Sequence, residues 1–281
     1  MSESLRISLI IPAFNRTENT RILMHYLTEY HQDELHEIIL SDDGSSEDQE
    51  AVLREFQDDL RVRCLLIRQE DRGFRLARTR NNGVRHSTGD YICFLDQDLI
   101  PSFNYFRMIK RFARRGRFLL TRTIYTTPAE KQWIVNEKGR EPLREVASRG
   151  KSYLRNTAVK DYIYHLGKKA GLGKLRPKLK GGAFSLYRDD FRRVNGFDED
   201  FQGWGLEDDD LGRRLYLSRI IGLNISHRAW TYHLWHEETP TKNNRPNKPL
   251  SDSKKYDKNS IIPEKGLNQD DREKISVVEI N

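Results

Sequence analysis

The chain has 281 residues, 36% of them hydrophobic and 10% aromatic, enough to build one large α/β domain around a buried core. No apolar run approaches the roughly 20 residues that span a bilayer, and MSESLRISLIIPAFNR lacks a cleavage site, so a cytoplasmic protein is expected, free or at the inner face of a membrane. Lys and Arg outnumber Asp and Glu by 49 to 42, a net +7 that suits contact with phosphates, while Cys64 and Cys93 in apolar runs argue against a disulfide framework or a Cys-based metal site.

Between residues 6 and 100, four apolar runs, RISLIIP, EIILSD, VRCLLI and DYICFLD, alternate with segments of helical character. That rhythm predicts βαβ units and a parallel sheet. The runs end in Asn15-Arg16, Asp42-Asp43-Gly44-Ser45, Gln69-Glu70-Asp71 and Asp96-Gln97-Asp98. Ligands of open α/β sheets bind at the carboxyl ends of strands, so the four endings are expected to line one crevice. Residues 102–118 place Phe106, Ile109, Phe112 and Ala113 on one helical side and Arg107, Lys110, Arg111, Arg114 and Arg115 largely on the other. This is a solvated basic face on a core-packed helix or a peripheral contact with an anionic membrane.

Residues 129–180 are weakly patterned and end in HLGKKAGLGKLRPKLKGG, a basic loop that either closes over a phosphate or forms mobile surface. A strand GGAFSLYR, a helix to Asn195, an acidic stretch, a helix from Glu207 to Ser218 and a strand-like SHRAWTYHLWH follow. From Thr239 the sequence is rich in Pro, Asn and Lys and reads as an extended tail. The expected organisation is a single domain over 1–238, with halves at 5–100 and 181–238, and a tail over 239–281.

Three clusters carry chemistry. Asp96 and Asp98 follow a buried-looking strand, and alternate residues of an extended chain point the same way, so both carboxylates can face one ion. Such oxygens suit Mg²⁺ or Mn²⁺, which keep positions open for a substrate diphosphate. Asp42-Asp43-Gly44-Ser45 offers carboxylates to a ribose or a ring N–H, and reads equally well as an Asp-Gly turn before a helix start. Glu207, Asp208, Asp209 and Asp210 ahead of Arg213 and Arg214 complement a helix dipole, but four adjacent acids exceed what capping requires. They follow Gly203-Trp204-Gly205, a hinge bearing a flat ring that can pack on a sugar face beside a proton-accepting carboxylate. There is no G-x-G-x-x-G after the first strand and no P-loop motif, so neither dinucleotide nor P-loop chemistry is indicated.

LIIPAFNR, SDDGSSED and GFRLARTRNNGVRHSTGDYICFLDQD together resemble the nucleotide-sugar half of family-2-type inverting glycosyltransferases of the GT-A fold. GGAFSLYRDDFRRVNGFDEDFQGWGLEDDDLGRRL resembles the acceptor half shared by β-1,4-galactosyltransferases, polypeptide GalNAc-transferases and bacterial chondroitin polymerase. The resemblance implies a Rossmann-like, mainly parallel sheet flanked by helices. It implies donor contacts from Pro12, Phe14, Asn15, Arg16, Asp42, Asp43, Arg80, Asp96, Gln97 and Asp98, with Phe14 stacked on uracil rather than in the core. It further implies Asp208 as catalytic base, Glu207 holding the acceptor beside Gly203, Trp204 and Gly205, and a metal on Asp96 and Asp98 with a third ligand, His233 ahead of His236. Leu206 departs from the second glycine common in those families.

The function these readings converge on is metal-dependent inverting transfer from a nucleotide sugar, UDP-linked, to a glycan or lipid-linked acceptor in bacterial surface polysaccharide synthesis, with no nucleic-acid partner. A sugar nucleotidyltransferase would need a Gly-rich phosphate loop where PAFNRTEN stands, and a basic nucleic-acid or anionic-surface binder leaves the acidic run unexplained.

Overall fold

The computed structural model describes residues 5–169, 178–237, 246–255, 261–269 and 273–281. Its first half runs β1 (Ile7–Ala13), α1 (Thr17–Tyr30), β2 (Glu37–Asp42), α2 (Gln49–Arg54), β3 (Arg63–Gln69), α3 (Leu76–Arg85), β4 (Tyr91–Leu95). These four strands are parallel, in the order β3-β2-β1-β4. β1 sends Ile7, Leu9 and Ile11 into one core and Ile10 into the other, the alternation a pleated strand imposes on a sheet covered on both faces. The chain builds outward from β1 to β3 and then returns to β4 on the other side. That reversal opens a crevice at the carboxyl ends of β1 and β4, where the sequence concentrates its polar endings.

The second half comprises β5 (Leu99–Pro101), α4 (Tyr105–Phe112), β6 (Arg117–Leu120), β7 (Thr123–Tyr125), α5 (Pro128–Glu137), α6 (Arg140–Lys169), β8 (Ala183–Tyr187), α7 (Arg188–Arg193), α8 (Glu207–Leu217), β9 (Ile221–Asn224), β10 (Thr231–His233), α9 (Lys248–Lys255) and β11 (Ile275–Glu279). The main sheet has the order β11-β3-β2-β1-β4-β8-β6-β9, and a small sheet, β5-β10-β7, sits beside it. β8 is antiparallel to both β4 and β6, which joins the second half of the chain to the first within one sheet.

Several elements differ from the sequence expectation. The helix expected over 102–118 stops at Phe112, and Gly116 at φ +71 turns the chain into β6. Its Phe106 and Ile109 are buried while Arg107 and Lys110 pair with Glu34, so α4 is the core-packed helix with a solvated basic face. The weakly patterned 129–180 region holds two helices, and α5 begins with a Thr127/Glu130 capping box and Pro128 in its first turn. Residues 170–177 of the basic loop lie outside the described residues. The segment read as an extended tail instead contains α9 and, over Ile275–Glu279, β11, which joins the sheet antiparallel to β3, and its Leu267 and Ile280 are buried in the core. Cys64 and Cys93 are buried and free.

A buried carboxylate holds the far end of the switch point together. Glu37, at the start of β2, accepts hydrogen bonds from Ser8 Oγ at 2.6 Å, Thr88 N at 2.6 Å, Gly89 N at 3.2 Å and Arg63 Nη1 at 2.9 Å. It thus ties β1, β2 and the turn entering β4. Burial opposes its charge, but these bonds outweigh that and hold the carboxyl below the ordinary glutamate range. A depressed pKa adds stability that is present above the unfolded value and lost as pH falls through the folded one. Glu37→Gln is expected to cost about 2–3 kcal/mol at neutral pH, with the gap closing below about pH 4, measured by denaturant unfolding across pH.

Candidate active site

The crevice is a cavity of about 720 Å³, walled by the ends of β1, β2 and β4, the Trp204 hinge and the segment after β10. Of the predicted donor residues, Pro12, Phe14, Asn15, Arg16, Asp43, Asp96, Gln97 and Asp98 line it. Phe14 is 40% exposed, so its ring stands at the cavity and not in the core. Asn15 and Arg16 both take left-handed backbone, φ 51 and 53, which turns β1 sharply into α1. Gln97 acts as a splint across the switch point: its Oε1 accepts from Phe14 N at 2.6 Å and its Nε2 donates to Asn15 O at 2.8 Å.

The two acids of the SDDG turn separate. Asp43 faces the cavity, with Oδ2 accepting from Arg75 N at 2.8 Å and Oδ1 from Gln69 Nε2, and burial pushes its pKa up. Asp42 does not line the cavity. It is buried, and its Oδ1 accepts from Ser45 N at 3.0 Å and Ser45 Oγ, so it shapes the turn. Gly44 is required there: its φ is +86, and a Cβ would stand 2.3 Å from Asp71 N.

At the opposite wall Asp98, His233 and His236 converge. Each imidazole Nε2 approaches Asp98 Oδ2, His233 at 3.3 Å and His236 at 3.2 Å, and the three ligand atoms lie within 4.8 Å of one another. Burial opposes the Asp98 charge, yet the two histidine hydrogen bonds hold its pKa below the ordinary range, and the bond to Asp98 raises that of His236. Asp98 thus gathers both candidate histidines, and the geometry does not separate His233 from His236. One carboxylate oxygen and two imidazole nitrogens fit a divalent cation, for adjacent ligands of an ion bound at about 2.1 Å stand roughly 3 Å apart. Asp96 stands outside this cluster. Residues 96–98 leave the strand and turn, so the two acids do not alternate as in an extended chain, and Asp96 Oδ1 instead accepts from Arg80 Nη2 at 2.9 Å.

Arg80 is the link between the halves. Its guanidinium, 1% exposed and outside the cavity wall, donates to Asp96 through Nη2 and to Glu207 Oε1 through Nη1 at 3.3 Å, and lies 5.2 Å from the Phe197 ring centroid. The resemblance implied a donor contact for Arg80; the structure puts it behind Asp96, outside the cavity lining. The run 207–210 divides by partner. Glu207 meets Arg80, and Asp208 Oδ2 accepts from Gly181 N at 3.0 Å. Asp209 pairs with Lys178 at 3.0 Å and Asp210 with buried Arg214 at 2.7 Å. Burial first, and the Asp208 charge next, push Glu207 up to about 7, and burial also raises Asp208. Glu207 Oε2 is buried with no hydrogen-bond partner among the described residues.

A second cavity of about 250 Å³ shares Asp96, Asp98 and His233 with the first and is completed by Thr121, Thr123, Tyr125, Tyr153, Lys180 and Gly182. The metal-type cluster is thus a partition between two spaces.

The model of glycosyl transferase family 2 matches residues 8–172, more than half of the chain, and that of the N-terminal domain of galactosyltransferase matches 168–237. The chain belongs to glycosyl transferase family 2. This glycosyltransferase is 28% identical over 260 residues to validoxylamine A glucosyltransferase of Streptomyces hygroscopicus subsp. limoneus, a match covering 84% of the chain and 53% of that protein. It is 26% identical over 254 residues to chondroitin synthase of Escherichia coli, covering 85% of the chain and 35% of the synthase. The chain therefore spans about half or less of these relatives' lengths. Among solved structures, GalNAc-T7 with UDP, GalNAc and Mn²⁺ shares the fold at a TM-score of 0.57 and 16% identity, over 86% of the chain and 45% of that protein. Family membership sets aside the nucleotidyltransferase and non-enzymatic readings.

Some lining residues of this glycosyltransferase were not singled out from sequence. Phe74, 41% exposed after Gly73, faces the cavity, and its carbonyl accepts from Gly203 N at 2.8 Å, which fixes the Trp204 hinge. An exposed aromatic beside a turn glycine was the available signal. Asn247, in the part read as tail, donates from Nδ2 to Gly205 O at 2.9 Å and to Gly203 O at 3.3 Å, pinning the same hinge.

Arg80→Met would leave two carboxylates without their shared cation, and a loss of about 3–5 kcal/mol is expected at neutral pH. Glu207 is protonated well below its pKa of about 7 and then needs no cation, so the loss is expected to shrink toward about pH 5. Denaturant unfolding of parent and variant at the two pH values checks this.

Proposed function

We propose that the chain transfers a sugar from a nucleotide sugar, UDP-linked, to an acceptor hydroxyl with inversion at the anomeric carbon. The observation that supports this reading is the Arg80 bridge: one buried cation holds Asp96, the proposed donor-side acid at the cavity, next to Glu207 of α8, the proposed acceptor-side acid. Phe14 offers an exposed ring to the base, and Asp43 a carboxylate to its N–H or to ribose. Asp98, His233 and His236 would hold the divalent ion, and two imidazoles in the set favour Mn²⁺ over Mg²⁺. When bound, such an ion neutralises negative charge on a departing diphosphate.

Asp208 is the proposed base. Its carboxylate is held by Gly181 N at the start of β8, and its raised pKa suits it to take the proton from an attacking hydroxyl. Glu207 accepts from the acceptor sugar through its partnerless Oε2, and Trp204 supplies the ring on which that sugar packs. The acceptor is a glycan or a lipid-linked saccharide, and surface polysaccharide synthesis at the cytoplasmic face of a bacterial membrane is the setting that the chondroitin synthase likeness supports.

A panel of UDP-sugars with Mn²⁺, read by UDP release, tests the reading, and absence of response to every nucleotide sugar overturns it. Asp208→Asn is expected to lower kcat by about 10²–10⁴ with donor binding retained. Asp98→Ala is expected to abolish the Mn²⁺-dependent gain in donor binding, measured by thermal stabilisation. Glu207 gains its proton near 7 and then no longer holds the acceptor as a carboxylate, so kcat/KM is expected to fall as pH drops through about 7, a limb that Glu207→Gln removes.

A further inference from the structure

Helix α6 packs Leu143, Val146, Ala147, Leu154 and Ala158 against the core. Its opposite side, over the last described turns, carries Val159, Tyr162, Ile163 and Leu166, spaced i, i+3, i+4, i+7 and all exposed, Ile163 at 60%. Four apolar side chains in one stripe on a solvent face mark a surface that meets something other than water. They also explain why this region lacks a readable amphipathic pattern: both sides of the helix are apolar.

The charge around the stripe indicates what covers it. From Val146 to the end of α6 at Lys169 the sequence contains six Lys or Arg and one acid, Asp161. Asp161 is buried and accepts from Arg122 at 2.8 Å and Asn224 at 2.6 Å, so it faces inward. Lys151, Arg155 and Lys160 are exposed on the helix and make no ion pair among the described residues. A second copy of the chain would press this single-sign charge against itself. An anionic phospholipid surface answers both the apolar stripe and the cations. No helix among the described residues is long and apolar enough to cross a membrane, so the contact is peripheral.

We propose that α6 seats the chain on an anionic phospholipid bilayer, with Tyr162, Ile163 and Leu166 at the headgroup boundary and the neighbouring Lys and Arg on lipid phosphates. The docking also places chemistry at the membrane. Tyr153 of α6 lines the second cavity beside Asp98 and His233, and thirteen residues of helix, about 20 Å, separate it from Leu166. Docking would hold the Asp98 and His233 cluster near the bilayer, where a lipid-linked acceptor is presented. This last use rests on the glycosyltransfer reading; the docking does not.

Co-sedimentation with vesicles of phosphatidylcholine containing phosphatidylglycerol, against phosphatidylcholine alone, tests the docking. Binding to the mixed vesicles only is expected, weakened about fivefold by each of Lys151→Ser, Arg155→Ser and Lys160→Ser. Ile163→Glu is expected to lower it about tenfold, with Ile163→Leu retaining it and both variants melting as the parent does. UDP release with a water-soluble acceptor is expected to stay unchanged in Ile163→Glu. Absence of vesicle binding, binding indifferent to Ile163→Glu, or a solution dimer that Ile163→Glu dissociates overturns the docking. Vesicle binding without turnover of any nucleotide sugar overturns the glycosyltransfer reading and leaves the docking standing.

Discussion

The architecture depends on one buried guanidinium. Arg80 lies on α3, behind the first half of the sheet, and reaches an acid at the end of β4 and an acid at the start of α8. A fully buried cation is tolerated only where opposite charge compensates lost hydration, and Asp96 and Glu207 supply it while Phe197 covers the flat face. The bridge dictates the chain around it. A Cβ on Gly181 would lie 2.9 Å from Arg80 Nη1, and one on Gly182 would lie 3.1 Å from Asp96 Oδ2. The two glycines at the entry to β8 are therefore explained by closeness of approach, not by backbone angle.

The same bridge explains the concentration of acids in an otherwise basic chain. Each carboxylate of 207–210 has its own counterpart: Arg80 for Glu207, Gly181 N for Asp208, Lys178 for Asp209 and Arg214 for Asp210. Leu206, which precedes them, sits at φ +75, a left-handed conformation that costs a branched residue about 1–2 kcal/mol. The strain falls at the hinge between Trp204 and Glu207, where Asn247 and Phe74 hold the glycines from outside. The Trp204 wall of the cavity is thus a strained loop braced by residues distant in sequence.

Much of the donor half is legible in the sequence because its strands are buried on both faces, and burial on both faces writes continuous apolar runs. The short strands β5, β7 and β9 leave no such trace, since three or four residues cannot establish a period, whereas β10 falls inside the strand-like SHRAWTYHLWH. The site divides along the same line. Phe14, Asp43 and Asp98 were readable as strand endings. Arg80 was singled out in the sequence as a donor contact, but its role as a bridge was not readable, for its partners lie 16 and 127 positions away. Asp42 shows the converse: an acid beside Asp43 in sequence turns inward because alternate residues of a strand end face opposite ways. The pairing of both histidines with Asp98 depends on β10 lying antiparallel to β5, a register that local pattern does not specify.

The seating of β11 against β3 has a consequence for biosynthesis. In the growing polypeptide β1 to β4 emerge early and have most of their partners at once, but the outer edge of β3 waits for Ile275–Glu279. About 200 residues separate the two strands, so ribosomes working at 5–20 residues per second leave that edge uncovered for on the order of 10–40 s. During that interval the nascent chain displays a row of unpaired backbone donors and acceptors, open to pairing with other chains. Translation speed over the second half, and the chaperones present then, set how much of the product reaches a closed sheet.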